Sequence, residues 1–213
     1  MIKTILFDWD GTLLNSNDLI NESNMYALNK YGDHTFTVDE VKPFNGRHLI
    51  DVYRELYPGL EDKILYAYNT YSDLRHDQSV RLFPDVKEVL QKLKNLGCHL
   101  GVVSMKRKYM VNHGLNLFNL ASVFDVVIGG DECKRRKPDA EPILIAMQKI
   151  NANPKETLMI GDNWQDIESA NNAHTRSVFV TWSQKNYEQI RPYQPTYCID
   201  RMSDLLQIVR EKK

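Results

Sequence analysis

Short apolar runs recur along the chain, and the longer segments between them repeat apolar residues every three or four positions. The runs are continuous rather than alternating, which is typical of strands covered on both faces, as in a parallel sheet. They lie at residues 4–7, 100–103, 126–128, 158–160 and 178–180, with a weaker one at 197–199. Between the first two of these runs lies a predicted helix. Its apolar face consists of Val86, Val89, Leu90 and Leu93, and Gly97 is the signal for its end. This alternation predicts an α/β fold with a doubly wound parallel sheet.

One long stretch departs from the alternation. From about Ser16 to Val80 the apolar spacing is helical, as in Leu49-Ile50-Asp51-Val52-Tyr53, and no strand-like run occurs. We therefore expect an all-helical subdomain at residues 16–81, inserted into a core formed by residues 1–15 and 82–213. Two further helices are predicted at residues 142–150 and 203–209, the second with Ser203 as its N-cap.

The composition of the chain favours small molecules as binding partners. Lys plus Arg (27) nearly balances Asp plus Glu (28), so no overall field attracts nucleic acid or anionic lipid. No stretch approaches the ~18 apolar residues of a membrane span, and the first residues lead straight into a strand, so we expect a cytoplasmic protein with no membrane association. The three cysteines form no C-x-x-C pair and are predicted to be free thiols. A monomer is the default expectation, although exposed tyrosines of the helical stretch leave a dimer open.

Chemically capable residues follow four of the predicted strands. These are Asp8 and Asp10, Ser104, Lys137 in Lys-Pro-Asp, and Asp162 with Asp166. Each has a structural alternative: an Asx turn for the first pair, a helix N-cap for Ser104 or Asp162, and a solvated loop for Lys137. Because ligands bind beyond the carboxyl ends of strands in open α/β sheets, all four groups are expected to converge. Together they supply a carboxylate nucleophile, oxygen ligands for Mg²⁺, a hydroxyl donor and a fixed cation, as phosphoryl transfer requires.

These residues resemble the four motifs of the haloacid dehalogenase (HAD) superfamily, in the same order along almost the whole chain. The motifs are D-x-D-G-T at residues 8–12, the apolar run ending in Ser104, K-P-D at Lys137, and G-D-x-x-x-D at residues 161–166. Through K-T-I-L-F-D at residues 3–8, the stretch at residues 114–125 and G-D-N at residues 161–163, the chain is further similar to the phosphoglycolate phosphatase and HAD-type inorganic pyrophosphatase group, which has a Rossmann-like core and a helical cap. Two departures, Met105 and Ala140, remove no reacting group.

The resemblance implies a role for each matching residue. Asp8 would be the nucleophile and a Mg²⁺ ligand, and Asp10 the acid and base that also lends its carbonyl to the metal. Ser104 and Lys137 would hold the transferring phosphoryl group, with Gly11 and Thr12 among the substrate contacts. Asp162 and Asp166 would complete the metal site. The implied function is Mg²⁺-dependent hydrolysis of a small phosphorylated metabolite, a phosphomonoester or pyrophosphate, through an aspartyl phosphate.

Several alternatives stay open at this point. A phosphosugar mutase would share every core residue, and a non-catalytic phosphate-binding or partner-binding protein would share the fold. Asp10 argues against a dehalogenase, whose leaving halide needs no proton, and the six histidines have no zinc-ligand spacing. Arg47 is a candidate for substrate binding, with a surface ion pair as the alternative. The basic group Lys106-Arg107-Lys108 is expected to be a solvated helix start rather than a functional element.

Overall fold

The computed structural model describes residues 1–211 and contains a six-stranded parallel sheet in the order β5-β4-β1-β6-β7-β8. All six apolar runs form its strands, which confirms the predicted fold class. Two short strands, β2 (Leu14–Asn15) and β3 (Arg81–Leu82), lie outside this sheet. The six sheet strands are β1 (Thr4–Phe7), β4 (His99–Val103), β5 (Val126–Ile128), β6 (Thr157–Gly161), β7 (Arg176–Val180) and β8 (Tyr197–Ile199).

The strand order indicates which edge of the sheet is suited to a ligand. From β1 the chain moves to β4 and β5 on one side, and from β6 it moves to β7 and β8 on the other. Right-handed crossovers in these two directions place helices on opposite faces of the sheet. The order reverses between β1 and β6, whose residues Phe7 and Ile160 are paired in register. In sheets of this kind, the crevice at the carboxyl ends of the two reversing strands is the binding site.

The helices that connect or follow the strands of this sheet differ from the predictions mainly in the residue at which each helix begins. Ser104 caps no helix, because the next helix begins only at Lys108, and Ser203 lies inside a 3₁₀ turn, Met202–Asp204, ahead of a helix whose N-cap is Asp204. Other 3₁₀ turns are Pro154–Glu156 and Arg191–Tyr193. The helices are α5 (Val86–Asn95), α6 (Lys108–Leu117), α7 (Glu141–Lys149), α8 (Trp164–Asn172), α9 (Tyr187–Ile190) and α10 (Leu205–Arg210).

The chain divides into two compact units, one formed by Met1–Asn15 with the chain from Leu82 onward and the other by Ser16–Arg81. The second unit is helical, and its apolar core includes Val52, Tyr53 and Ile64. Tyr53 is fully buried and donates a hydrogen bond to Asn24 Oδ1 at 2.7 Å. Its helices are α1 (Asn17–Tyr31), α2 (Val38–Val41), α3 (Leu49–Leu56) and α4 (Glu61–Ser79), with a 3₁₀ turn at Lys42–Phe44.

Three smaller predictions can also be compared with the structure. Cys98, Cys133 and Cys198 are free thiols, as expected. The tyrosines of the helical unit are not uniformly core residues, because Tyr66 is 73% exposed whereas Tyr53 is buried. Among the described residues, no helix combines the length and apolarity that crossing a membrane requires.

Candidate active site

The turn after β1 sets two carboxylates at the carboxyl end of the sheet. The backbone N–H of Asp8 donates to the carbonyl of Ile160 at 2.8 Å, so the pairing with β6 continues past the end of the strand. Gly11 then adopts a φ of +79°, in the left-handed region. A Cβ at Gly11 would collide with the carboxylate of Asp162, so glycine allows this turn to approach the end of β6 closely.

Lys137 joins the residues at the ends of three strands. Its Nζ donates to Asp8 Oδ1 at 3.0 Å, to Asp166 Oδ1 at 2.6 Å and to the carbonyl of Val103 at 3.0 Å. The side chain is only 1% exposed, and the peptide bond to Pro138 is cis. The three donors of the ammonium are thereby all used within the site.

The start of α8 orients the second acidic pair. Asn163 is the N-cap of this helix and its backbone N–H donates to Asp166 Oδ2 at 3.1 Å, which leaves Oδ1 for Lys137. Asp162 precedes the cap. Its carbonyl accepts a hydrogen bond from Ser183 Oγ at 2.6 Å, and its Oδ2 lies 3.4 Å from the same hydroxyl. Ser183 follows β7, so the end of a fourth strand contributes to the orientation of Asp162.

The site holds more negative charge than its cation offsets. Burial, together with Asp166 and Asp10, raises the pKa of Asp8 to about 7 even though Lys137 opposes the shift. Burial raises the pKa of Asp162 well above its usual value, with further contributions from Asp166 and Asp8. For Lys137, burial alone would lower the pKa, but Asp166 and Asp8 outweigh burial and raise it. Three carboxylates therefore share one buried ammonium.

This donor set fits a divalent cation. Asp8, Asp162 and Asp166 each offer a carboxylate oxygen, and these oxygens lie within 4.8 Å of one another. Hard oxygen ligands are those that Mg²⁺ prefers, and the uncompensated charge is of the sign that a cation would relieve.

A second ion pair lies beside the first. Lys106 Nζ lies 3.0 Å and 3.2 Å from the two carboxylate oxygens of Asp10. Its backbone N–H donates to Ser104 Oγ at 3.2 Å, and Ser104 is 3% exposed. Lys106 thus connects Asp10 with the end of β4.

Thr12 is fully buried; its carbonyl accepts from Trp182 Nε1 at 3.2 Å, and its Oγ1 has no hydrogen-bond partner among the described residues.

Arg47 is the one candidate outside this unit. It lies in the helical unit, on the segment between the turn ending at Phe44 and α3. Its Nη2 pairs with Glu55 Oε2 at 2.7 Å, and the two side chains are 44% and 60% exposed. The surface ion pair that the sequence left as an alternative is therefore present, and a role in substrate binding stays a prediction.

The order and spacing of these residues agree with a known family. The family profile described as haloacid dehalogenase-like hydrolase matches residues 5–180, which include both acidic pairs, Ser104 and Lys137. The chain belongs to the haloacid dehalogenase-like hydrolase family.

Curated relatives in this family match along nearly their whole length. Pyrophosphatase PpaX of Bacillus mycoides is 38% identical over 98% of this chain and 97% of its own. Pyrophosphatase PpaX of Anoxybacillus flavithermus is 39% identical with the same coverage.

Solved structures show the same architecture. A protein of Bacteroides fragilis, provisionally described as a haloacid dehalogenase-like hydrolase, superposes with a TM-score of 0.90 at 27% identity, over 96% of this chain and 100% of its own. A predicted phosphoglycolate phosphatase of Haemophilus somnus gives a TM-score of 0.84 at 28% identity, over 98% of each chain.

Sequence reasoning underestimated two residues of this haloacid dehalogenase-like site. The expectation of a solvated Lys106 is wrong, because its side chain is 14% exposed and paired with Asp10. The available signal was its position two residues after a strand-end serine. Ser183 gave a weaker signal, as a hydroxyl residue after a strand in a polar loop. In contrast, Trp9, which lies between Asp8 and Asp10 in the sequence, packs in the interior and is fully buried.

Proposed function

We propose that this protein is a Mg²⁺-dependent phosphohydrolase that cleaves a small phosphorylated metabolite, preferentially inorganic pyrophosphate, through an aspartyl phosphate on Asp8. That the chain is a phosphohydrolase follows from its family and from relatives named pyrophosphatase that match it end to end. The metal, the intermediate and the substrate are the further steps of the proposal.

One observation supports this function above the others. Lys137 Nζ lies 3.0 Å from Asp8 Oδ1 and 2.6 Å from Asp166 Oδ1 in a buried site. A phosphate group repels an anionic nucleophile, so a carboxylate attacks phosphorus only where fixed positive charge offsets the repulsion. The buried ammonium provides such a charge at the attacking oxygen.

The reaction follows as two displacements at phosphorus. Asp8 attacks phosphorus, a new bond forms to its carboxylate oxygen, and the bond to the leaving oxygen breaks and keeps its electron pair. Asp10 gives a proton to that oxygen. Asp10 then takes a proton from water, whose oxygen displaces the aspartyl group and releases phosphate. Ser104 and Lys137 hold the oxygens of the transferring group, Lys137 by exchanging one of its present acceptors for a phosphoryl oxygen, and Gly11 and Thr12 shape the turn next to it.

Mg²⁺ would be held by Asp8, Asp162 and Asp166, with the backbone carbonyl of Asp10 as a further ligand. When bound, it supplies positive charge next to the transferring phosphoryl group. The proposal requires this charge because three carboxylates share one ammonium in the site.

Pyrophosphate is favoured over phosphoglycolate by the extent of the relatives' similarity. The relatives named pyrophosphatase are 38–39% identical to this chain over almost its full length, whereas the predicted phosphoglycolate phosphatase of Haemophilus somnus is 28% identical. We further propose that residues 16–81 select the substrate as a cap, with Arg47 as a contact. The predicted cytoplasmic location and monomeric state are untested.

The proposal is tested by phosphate release from pyrophosphate, phosphoglycolate, hexose phosphates and nucleotides, each with Mg²⁺ or with EDTA. Wild-type release should require Mg²⁺ and be largest with pyrophosphate. Asp8→Asn keeps the shape of the side chain but cannot form the acyl phosphate, so it should fold and lose at least about a thousandfold in kcat. Appreciable turnover by the folded variant, or release that continues in EDTA, would contradict the proposed function.

A further inference from the structure

The loop after β4 brings a second ammonium group into the site, on a backbone fixed from two sides. The N–H of Lys106 donates to Ser104 Oγ at 3.2 Å, and its carbonyl accepts from the N–H of Gly130 at 2.9 Å. A Cβ at Gly130 would collide with the backbone of Met105, so the two loops are in direct contact. Lys106 is therefore held in place by the ends of β4 and β5.

The side chain of Lys106 is as restricted as its backbone. Its Nζ reaches both oxygens of Asp10, at 3.0 Å and 3.2 Å, and the two side chains are 14% and 19% exposed. Lys108, two residues later, is 36% exposed and pairs with Glu132 instead. Exposed ion pairs contribute little and are screened by salt, whereas partly buried charges are screened much less. The charge of Lys106 therefore acts within the site.

The two ammonium groups serve different carboxylates. Lys137 contacts Asp8 and Asp166, whereas Lys106 contacts Asp10. In phosphoryl transfer the attacking and leaving oxygens lie roughly in line on opposite sides of phosphorus. Since Asp8 attacks and Asp10 serves the leaving oxygen in the proposed function, Lys106 is the cation on the leaving-group side.

Lys106 also has a donor to spare for a ligand at Asp10. An ammonium has three donors, and the two oxygens of Asp10 engage at most two of them. A leaving group hydrogen-bonded to Asp10 lies within one further hydrogen bond of Lys106 Nζ. A negative charge on that group would form a charge-assisted hydrogen bond, which is roughly twice as strong as a neutral one.

We propose that Lys106 is a specificity-determining residue that binds the leaving group of substrates in which this group carries its own negative charge. The second phosphate of pyrophosphate and the carboxylate of a two-carbon acid phosphate belong to this class, and neutral alcohols do not. The inference rests on the proposed function, because that function assigns Asp10 to the leaving oxygen.

Binding of two probes separates the leaving-group side from the transferring side. Inorganic phosphate occupies only the position of the transferring group, whereas imidodiphosphate, which resists hydrolysis, adds a second anionic phosphate. Titration calorimetry with excess Mg²⁺ would compare the wild type with Lys106→Met and Lys106→Arg. Lys108→Met is the matched control, because it removes a neighbouring lysine whose partner is Glu132.

Lys106→Met should weaken imidodiphosphate on the order of tenfold or more, the usual effect of losing a charge-assisted contact, and phosphate by less than about threefold. Lys106→Arg should retain most of the imidodiphosphate affinity, and Lys108→Met should leave both affinities unchanged. In turnover, Lys106→Met should lower kcat/KM for pyrophosphate at least about tenfold more than for glycerol phosphate. Thermal melting confirms that each variant is folded.

Equal weakening of both probes by Lys106→Met would overturn the inference, because the residue would then act only through the shape of the site. Unchanged binding of imidodiphosphate would overturn it as well. Failure of the proposed function gives a different result. In that case wild-type protein binds neither probe and releases no phosphate from any substrate, and both proposals fall together.

Discussion

At the scale of single residues, the unusual property of this protein is a buried excess of negative charge. Asp8, Asp162 and Asp166 lie close together, and the ammonium of Lys137 pairs with Asp8 and Asp166. Desolvated carboxylates in mutual contact are costly to a folded chain, and such arrangements concentrate at functional sites. In the proposed function, the charge that destabilises the metal-free protein is the charge that would bind a divalent cation.

This charge excess predicts the direction in which stability changes with pH. The pKa of Asp8 is about 7 in the folded chain, against 3.8 ordinarily, so between these values the folded state binds more protons than the unfolded state. The free energy of unfolding should therefore fall as pH rises from about 5 to about 7.5. Lys137 does not reverse the slope, because its pKa lies above this window.

Urea unfolding in EDTA at both pH values measures the effect, with Asp8→Asn as the control. The contribution of Asp8 is the difference between the two proteins, which removes the slope from histidines and other shared groups. The wild type should lose more stability than the variant as pH rises. A wild type that gains stability relative to Asp8→Asn over this interval would contradict the assigned shift.

At the scale of elements, the ends of strands and helices decide the geometry of the site. Gly11 follows β1 and Gly97 follows α5, with φ values of +79° and +80°. The two differ in surroundings: a Cβ at Gly97 would meet nothing within 4 Å, whereas a Cβ at Gly11 would collide with the carboxylate of Asp162. Substitutions at the two glycines therefore distinguish the effect of backbone strain, which both would cause, from the displacement of Asp162, which only a substitution of Gly11 would cause.

Gly97→Ala should lower the free energy of unfolding by about 1–2 kcal/mol, the usual cost of a left-handed conformation for a residue with a Cβ, and should leave turnover unchanged. Gly11→Ala should cost more than Gly97→Ala and should also lower kcat at least about tenfold, because Asp162 must move. Chemical unfolding and steady-state kinetics on both variants provide the test. Equal effects on activity would show that the Gly11 contact is unimportant.

Element positions were predictable where pattern alone decides them, and less so where contacts do. Continuous apolar runs identified all six strands of the parallel sheet, most clearly β1 and β6, whose residues are all buried, and least clearly β8, where Cys198 is exposed. The predicted starts of helices were less accurate. Ser104 caps no helix, because its hydroxyl accepts the N–H of Lys106 within a loop, and α6 begins only at Lys108. The partly buried position of Lys106 depends on contacts with Asp10 and Gly130, which are distant in sequence and leave no periodic signal.

At the scale of the whole molecule, the chain consists of a sheet unit that carries the acidic site and a separate helical unit, Ser16–Arg81. The lack of strand-like runs from Ser16 to Val80 predicted a helical insert there, but its function has no motif of comparable specificity. Arg47 illustrates the difficulty, because an exposed arginine paired with Glu55 has the same sequence pattern whether or not it meets a substrate.

If the helical unit selects the substrate through Arg47, Arg47→Ala should raise KM on the best substrate by about tenfold and change kcat by less than about threefold. Glu55→Gln is the matched control, since it removes the partner and keeps the arginine. It should leave KM the same or lower it. An unchanged KM in Arg47→Ala would show that Arg47 does not bind the substrate and only forms its surface ion pair with Glu55.

The measurement that tests the central claim most directly is chemical trapping of the aspartyl phosphate. Wild-type protein turning over pyrophosphate with Mg²⁺ would be quenched and treated with borohydride, which reduces an acyl phosphate to an alcohol, and its peptides would be sequenced by mass spectrometry. The account predicts homoserine at position 8, absent when substrate or Mg²⁺ is omitted. Full turnover with aspartate unmodified at position 8, or reduction at another acid, would contradict it.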